Sequence, residues 1–156
     1  MMSKKVCLIC CAGGHLEQIE QLQDVKEKYD HYYVITKHKS TEKLKKDVPV
    51  YLVGDFYRDK KIEFVFRFAY TAIQQFFIFL KERPDVVITT GAGIVIPTCM
   101  YAKFFKKKVI YIESFARMKS LNKTGEFLYK YADLFIVQWP DLLELCPKAV
   151  YGGWIY

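Results

Sequence analysis

At 156 residues the chain offers about one domain, enough to bury a single core and short for a two-domain enzyme. Lys and Arg total 24 against 17 Asp and Glu, a net charge of +7 beside 12 Tyr and 12 Phe; this balance suits an anionic partner such as a membrane face or a phosphorylated substrate. The positive charge is scattered over residues 37–46, over Arg58, Lys60 and Lys61, and over residues 103–108, and no nucleic-acid motif accompanies it, so no nucleic-acid partner is expected.

The first apolar run begins almost at once, leaving no room before Lys4 for a signal peptide or membrane anchor. Three of the five cysteines, Cys7, Cys10 and Cys11, fall inside that run, where a thiol behaves as a small hydrophobe. The chain therefore reads as cytosolic and reduced. No Cys/His set at metal spacing is present, and neither a metal nor a cofactor is expected.

Residues 6–11 form a continuous apolar run, the pattern of a parallel strand covered on both faces. It ends at Gly13-Gly14-His15, after which Leu16, Ile19, Leu22 and Val25 recur at helical spacing to about residue 28. A strand that stops at two glycines and restarts as a helix leaves backbone N–H groups uncovered, and such a turn holds an anion, most often a phosphate. The alternative is a tight turn where only glycine fits and His15 caps the helix. His15 lies in the first helical turn, where the positive end of the dipole disfavours imidazolium. Its neutral ring could accept a proton from a sugar hydroxyl.

Strands are expected at residues 31–36 and 48–53, with a short polar helix at 40–46 between them. The helix over residues 62–82 is unusual: Glu63, Arg67, Thr71, Gln74, Gln75 and Lys81 gather on a stripe of roughly 120°, leaving most of the circumference apolar. Its phenylalanines, Phe66 and Phe77 among them, are flanked by Arg58, Lys60 and Lys61. That face suits a buried core, an anionic membrane surface or another protein. A span is excluded by Glu63, Arg67 and the two Gln. Further strands follow at 85–89, 108–112 and 134–137, with a short one at 150–151, and helices at 96–105 and 123–132.

Strands alternating with helices imply an open, doubly wound, mostly parallel, Rossmann-like α/β sheet in a single domain over residues 1–156, with its ligand at the carboxyl ends of the strands. The first and fourth strands meet where the strand order reverses. The glycine turns at Gly13-Gly14 and Gly91-Ala92-Gly93 then face one crevice with Glu113 and Arg117, a diphosphate site. Close packing is the alternative reason for Gly91 and Gly93. A dinucleotide oxidoreductase is disfavoured, because the third glycine of its fingerprint is missing and the second strand runs into Thr36-Lys37-His38 without a carboxylate.

The segment Tyr111-Ile112-Glu113-Ser114-Phe115-Ala116-Arg117, then Leu121, Gly125, Asp133 and Phe135-Ile136-Val137-Gln138-Trp139-Pro140, resembles the membrane-anchor subunit of the eukaryotic dolichyl-diphosphate GlcNAc transferase. It is still more similar to the galactosyltransferase-enhancer subunits of bacterial capsule and exopolysaccharide clusters. The glycine turns and Glu113 are similar, more distantly, to the acceptor half of the peptidoglycan GlcNAc transferase. The resemblance implies a GT-B glycosyltransferase split into a heterodimer. This chain would be the amino-terminal half, peripheral at the cytoplasmic face of the membrane and weak or inactive alone. A separate small catalytic subunit would bind the UDP-sugar, UDP-Gal or UDP-GlcNAc. Gly13, Gly14, Gly91 and Gly93 would line the diphosphate of a polyprenyl-diphosphate-linked sugar. His15 would be the base, Glu113 would join it in catalysis, and Ser114 and Arg117 would shape the acceptor sugar site. The tail Trp154-Ile155-Tyr156 would bind the partner. The eukaryotic subunit begins with a membrane-spanning helix that is not seen here. A non-catalytic scaffold that only carries the partner to the membrane is the competing reading.

Overall fold

The computed structural model describes residues 4–42, 44, 47–54 and 61–155, with residues 61 and 62 described by their backbone alone. Seven strands, β1 (Lys5–Cys10), β2 (Asp30–Thr36), β3 (Val50–Val53), β4 (Val86–Thr89), β5 (Lys108–Ile112), β6 (Leu134–Val137) and β7 (Val150–Tyr151), form one sheet in the order β3-β2-β1-β4-β5-β6-β7. Every neighbouring pair is parallel, so each connection crosses back over a sheet face, the doubly wound arrangement expected from the sequence. Val6 lies opposite His31 on one side and Val86 on the other. The reversal of strand order therefore falls between β1 and β4, where the two glycine turns leave the sheet.

Alternation along the strands divides the core in two. Cys7, Ile9, Val34, Val87, Tyr111 and Val137 point to one face, under helices α3 (Lys61–Glu82), α4 (Ile96–Phe104), α5 (Lys123–Leu128) and α6 (Leu142–Leu145). Leu8, Cys10, Ile35, Ile88 and Ile112 point to the other, where α1 (Gly14–Glu20), α2 (Gln23–Lys28) and Ile155 pack. None of the five cysteines is in a disulfide; four are buried in this core, and burial pushes the Cys7 thiol up to about 12.

The single helix expected to residue 28 is two. Leu16, Ile19, Leu22 and Val25 step by three, and at 100° per residue each step drifts by about 60°, which would turn Val25 away from the sheet. A break at Gln21–Leu22 restores the contact, and all four side chains pack on the second face. Residues 39–42 form a turn where a polar helix was expected to begin, and Lys43, Lys45 and Lys46 lie outside the described residues. The helix expected over 123–132 ends as α5 at Leu128, and α6 was not anticipated.

The larger correction concerns α3. Thr71 and Gln75 do not share a solvent stripe with Arg67; with Phe79 they form an i, i+4, i+8 row that is buried on the sheet. Gln75 donates from Nε2 to the Ile94 carbonyl at 3.0 Å and accepts at Oε1 from Thr98 N and Oγ1 at 3.2 and 2.7 Å. This amide fastens α3 to the start of α4, directly behind the second glycine turn. The opposite face stays open: Phe66 is 71% exposed and Phe77 64%, with Val65, Tyr70 and Ile73 beside them. A plain buried helix is thereby excluded. No helix among the described residues is long and apolar enough to cross a membrane.

Candidate functional site

The first turn is built for an approach from above. Gly13 has φ +88°, a conformation that L side chains rarely adopt, and serves as N-cap to α1 without a side-chain cap. Gly14 has no such constraint, and a Cβ on either residue would meet nothing within 4 Å. Nothing in the chain's own packing requires glycine at position 14, which leaves open space over the first N–H groups of the helix. The Thr90 hydroxyl donates to the His15 carbonyl at 3.1 Å, fixing this turn to the end of β4.

The second turn is strained. Ala92 has φ 77° and ψ 148°, a region nearly confined to glycine that costs about 1–3 kcal/mol. Gly91 needs glycine twice over, by its φ of +114° and because a Cβ would lie 2.9 Å from the Tyr111 hydroxyl and 3.4 Å from His15 Cε1. For Gly91, close packing is the observed reason. Gly93 instead opens a short 3-10 turn and lines the cleft.

That cleft, about 520 Å³, lies at the carboxyl ends of β1, β4 and β5 between His15, Gly93, Ser114, Arg117, Asn122 and Lys123. Among the described residues two permanent cations line it and no carboxylate does, which suits an anion. Gly14 opens instead on a neighbouring groove across α1. His15 has its pKa lowered, chiefly by burial, against the opposing effect of a hydrogen bond to the Thr90 backbone. Desolvation thus acts in the same direction as the dipole anticipated from sequence, disfavouring the charged ring. Its Nδ1 is buried without a partner among the described residues.

Glu113 stands behind this cleft. It is fully buried, Oε1 accepting from Ser114 N at 2.9 Å and from Asn122 Nδ2 at 2.7 Å. Burial pushes its carboxyl up to about 7, against the pull of those donors and of Arg117. Asn122, not singled out from sequence, joins the layers. Its Nδ2 also reaches the Tyr111 hydroxyl at 2.9 Å, its Oδ1 caps α5 by accepting from Gly125 N at 2.8 Å, and its side chain lines the cleft. An Asn one residue before a helix is a capping signal legible in the sequence. Gly125 leaves room for this carboxyl, since a Cβ there would press on Glu113 Oε2 and force it to shift. Glu113 does not line the cleft itself and reaches it through Ser114 and Asn122, which do.

Ser114 lines the cleft and accepts at Oγ from Gln18 Nε2 at 3.3 Å, while exposed Arg117 closes the turn through its N–H to Ser114 O at 2.9 Å. Of the expected membrane residues, Phe66 and Phe77 lie together on the open face of α3. Arg58 and Lys60 lie outside the described residues, as does the side chain of Lys61. In the tail, Trp154 is 73% exposed, Tyr156 is outside the described residues, and Ile155 turns inward to pack on the second sheet face. No group of three His, Cys, Asp or Glu side chains among the described residues could hold a metal.

A parallel sheet with two glycine turns at its switch point is half of a GT-B architecture. Acinetobacter baumannii MurG superposes with a TM-score of 0.73 at 16% identity, the match covering 88% of this chain and 42% of that one. The model of the family described as "Oligosaccharide biosynthesis protein Alg14 like" matches residues 6–155, and the chain belongs to that family. A mouse protein named UDP-N-acetylglucosamine transferase subunit ALG14 is 35% identical over 102 residues, 62% of this chain and 47% of the relative. Its Schizosaccharomyces pombe namesake is 44% identical over 75 residues, 45% and 36% of the two chains. The matched regions thus span about a third to a half of the length of these relatives.

Proposed function

We propose that this chain is the acceptor-binding, amino-terminal half of a two-polypeptide glycosyltransferase. It would hold a polyprenyl-diphosphate-linked sugar for a separate small subunit that carries the UDP-sugar. The observation that carries the reading is the cationic cleft at the switch point, where His15, Gly93, Arg117 and Lys123 converge and no carboxylate intrudes. The relatives' names, transferase subunits, agree with it.

The chemistry follows from the lining. The diphosphate lies against the glycine turns, Arg117 and Lys123, its charge met by helix-start N–H groups and the two cations. The acceptor hydroxyl oxygen attacks the anomeric carbon of the donor sugar as the bond to UDP breaks, and the neutral His15 ring takes the hydroxyl proton. Ser114 and Arg117 orient the acceptor sugar, and Glu113 holds their loop in place. UDP-GlcNAc is the donor in the relatives' names; UDP-Gal, in capsule or exopolysaccharide assembly, is the alternative carried by the resemblance to bacterial enhancer subunits. The exposed Trp154 offers the partner contact, and Val86, Ile110 and Ile136, half-buried on the second sheet face, leave apolar surface for it. The open face of α3, followed by Lys81 and Arg83, would rest on the anionic cytoplasmic leaflet.

Co-expression with a neighbouring gene product of similar size tests the reading. Transfer from UDP-GlcNAc or UDP-Gal to a polyprenyl-diphosphate sugar should need both chains, and strong transfer by this chain alone would contradict it. The exposed α3 face also favours the scaffold reading, which His15→Ala separates: full activity of the complex with that variant removes His15 from the chemistry.

A further inference from the structure

Across α1 from the cationic cleft lies a second groove, of about 500 Å³, lined by Gly14, Glu17, Gln18, Gln21, Phe115 and Trp154. Its character is different. Among the described residues it has two aromatic walls, one carboxylate, two amides and no cation to neutralise a phosphate.

The aromatic wall is held in place. Trp139 donates from Nε1 to the Phe115 carbonyl at 2.7 Å and packs on the Phe115 ring at 5.0 Å between centroids. Trp154 meets the other side of that ring edge to face at 5.6 Å and remains largely exposed. On the polar wall, Gln18 gives its Nε2 to Ser114 Oγ, and its Oε1 is left buried without a donor among the described residues. Glu17 and Gln21 add further acceptors at the rim. Apolar faces for C–H groups, acceptors at the edge and no positive charge together describe a site for a neutral, polyhydroxylated ring.

We infer that the groove between α1 and the Phe115–Trp154 pair is a subsite for a neutral hexopyranose, stacked on the indole and hydrogen-bonded to the rim at Glu17 and Gln21. Because Gly14 belongs to this groove and His15 to the cleft, one helical turn separates a sugar subsite from an anion subsite. This assignment rests on the acceptor-site reading only for whose sugar it is.

Ligand-observed saturation-transfer NMR on the full chain tests it, with methyl β-glucopyranoside, methyl β-glucuronide and inorganic pyrophosphate as probes. The neutral glycoside should receive saturation with a dissociation constant on the order of 10 mM, and the glucuronide should bind several-fold more weakly beside Glu17. Trp154→Ala should abolish the transfer, Trp154→Phe should retain part of it, and Gln21→Ala should weaken it several-fold. Saturating pyrophosphate should not displace the glycoside. Equal transfer in wild type and Trp154→Ala, displacement by pyrophosphate, or no transfer at about 50 mM glycoside would each overturn the subsite, the last leaving Trp154 to the partner alone. Glycoside binding without any pyrophosphate binding would uphold the groove and remove the acceptor-diphosphate reading instead.

Discussion

His15 carries the chemistry in this account, and its surroundings set its pH behaviour. Its folded pKa lies below its ordinary value because burial disfavours the imidazolium. The neutral ring therefore stabilises the fold above the ordinary histidine pKa, and that contribution is lost as pH falls through the lowered value. Activity of the assembled enzyme should hold through neutrality and fall on acidification, and His15→Ala should lower turnover by about 10²–10⁴ with both subunits present. Glu113 has the opposite sign. Its carboxyl is raised to about 7 by burial, so its contribution to stability is greatest below the ordinary carboxylate range and declines as pH rises through 7. Glu113→Gln keeps an acceptor for Ser114 N and Asn122 Nδ2. Denaturant unfolding should find wild type losing up to about 3 kcal/mol against that variant between acid and mildly alkaline pH. A parallel pH dependence in both proteins would contradict the buried ionisation. Gly125→Ala, which forces a Cβ onto Glu113 Oε2, should cost about 1–3 kcal/mol, whereas Gly14→Val meets nothing and should leave the melting temperature nearly unchanged while abolishing acceptor use.

At the scale of elements, α3 separates what the sequence could reveal from what it could not. Its length and excess of apolar surface were legible from spacing. The destination of Thr71 and Gln75 was not, because a buried amide with partners on another helix looks in one dimension like a solvated one. The parallel strands were legible as continuous apolar runs and the pairing of the first with the fourth followed from the doubly wound arrangement, whereas the break between α1 and α2 came from sheet packing overriding a marginal periodicity. Likewise the glycine turns were visible as turns, but only coordinates separate Gly91, which packing demands, from Gly14, which it does not. Two substitutions test the two sides of α3. Gln75→Leu leaves Thr98 without its acceptor and the strained turn at Ala92 without its clamp, and should cost about 1–3 kcal/mol. Phe66→Ser with Phe77→Ser removes exposed rings, so stability should change by less than about 1 kcal/mol while sedimentation with anionic liposomes is lost. Unaltered liposome binding would assign that face to a protein contact.

At the scale of the molecule, one sheet presents three unfinished surfaces. Among the described residues the cleft is cationic and open to solvent, the aromatic face of α3 has no cover, and half-buried strand residues and an exposed Trp154 leave apolar surface. A half-enzyme that meets acceptor, membrane and partner on separate faces accounts for all three. The central element is the grip of the paired turns on a pyrophosphate, and amide chemical-shift mapping with a water-soluble, short-chain prenyl-diphosphate sugar tests it most directly. The amides of Gly13, Gly14, His15 and Gly93 should shift together, and Arg117→Ala should weaken the response at least several-fold. Shifts confined to other parts of the chain, or a response indifferent to Arg117, would contradict the account.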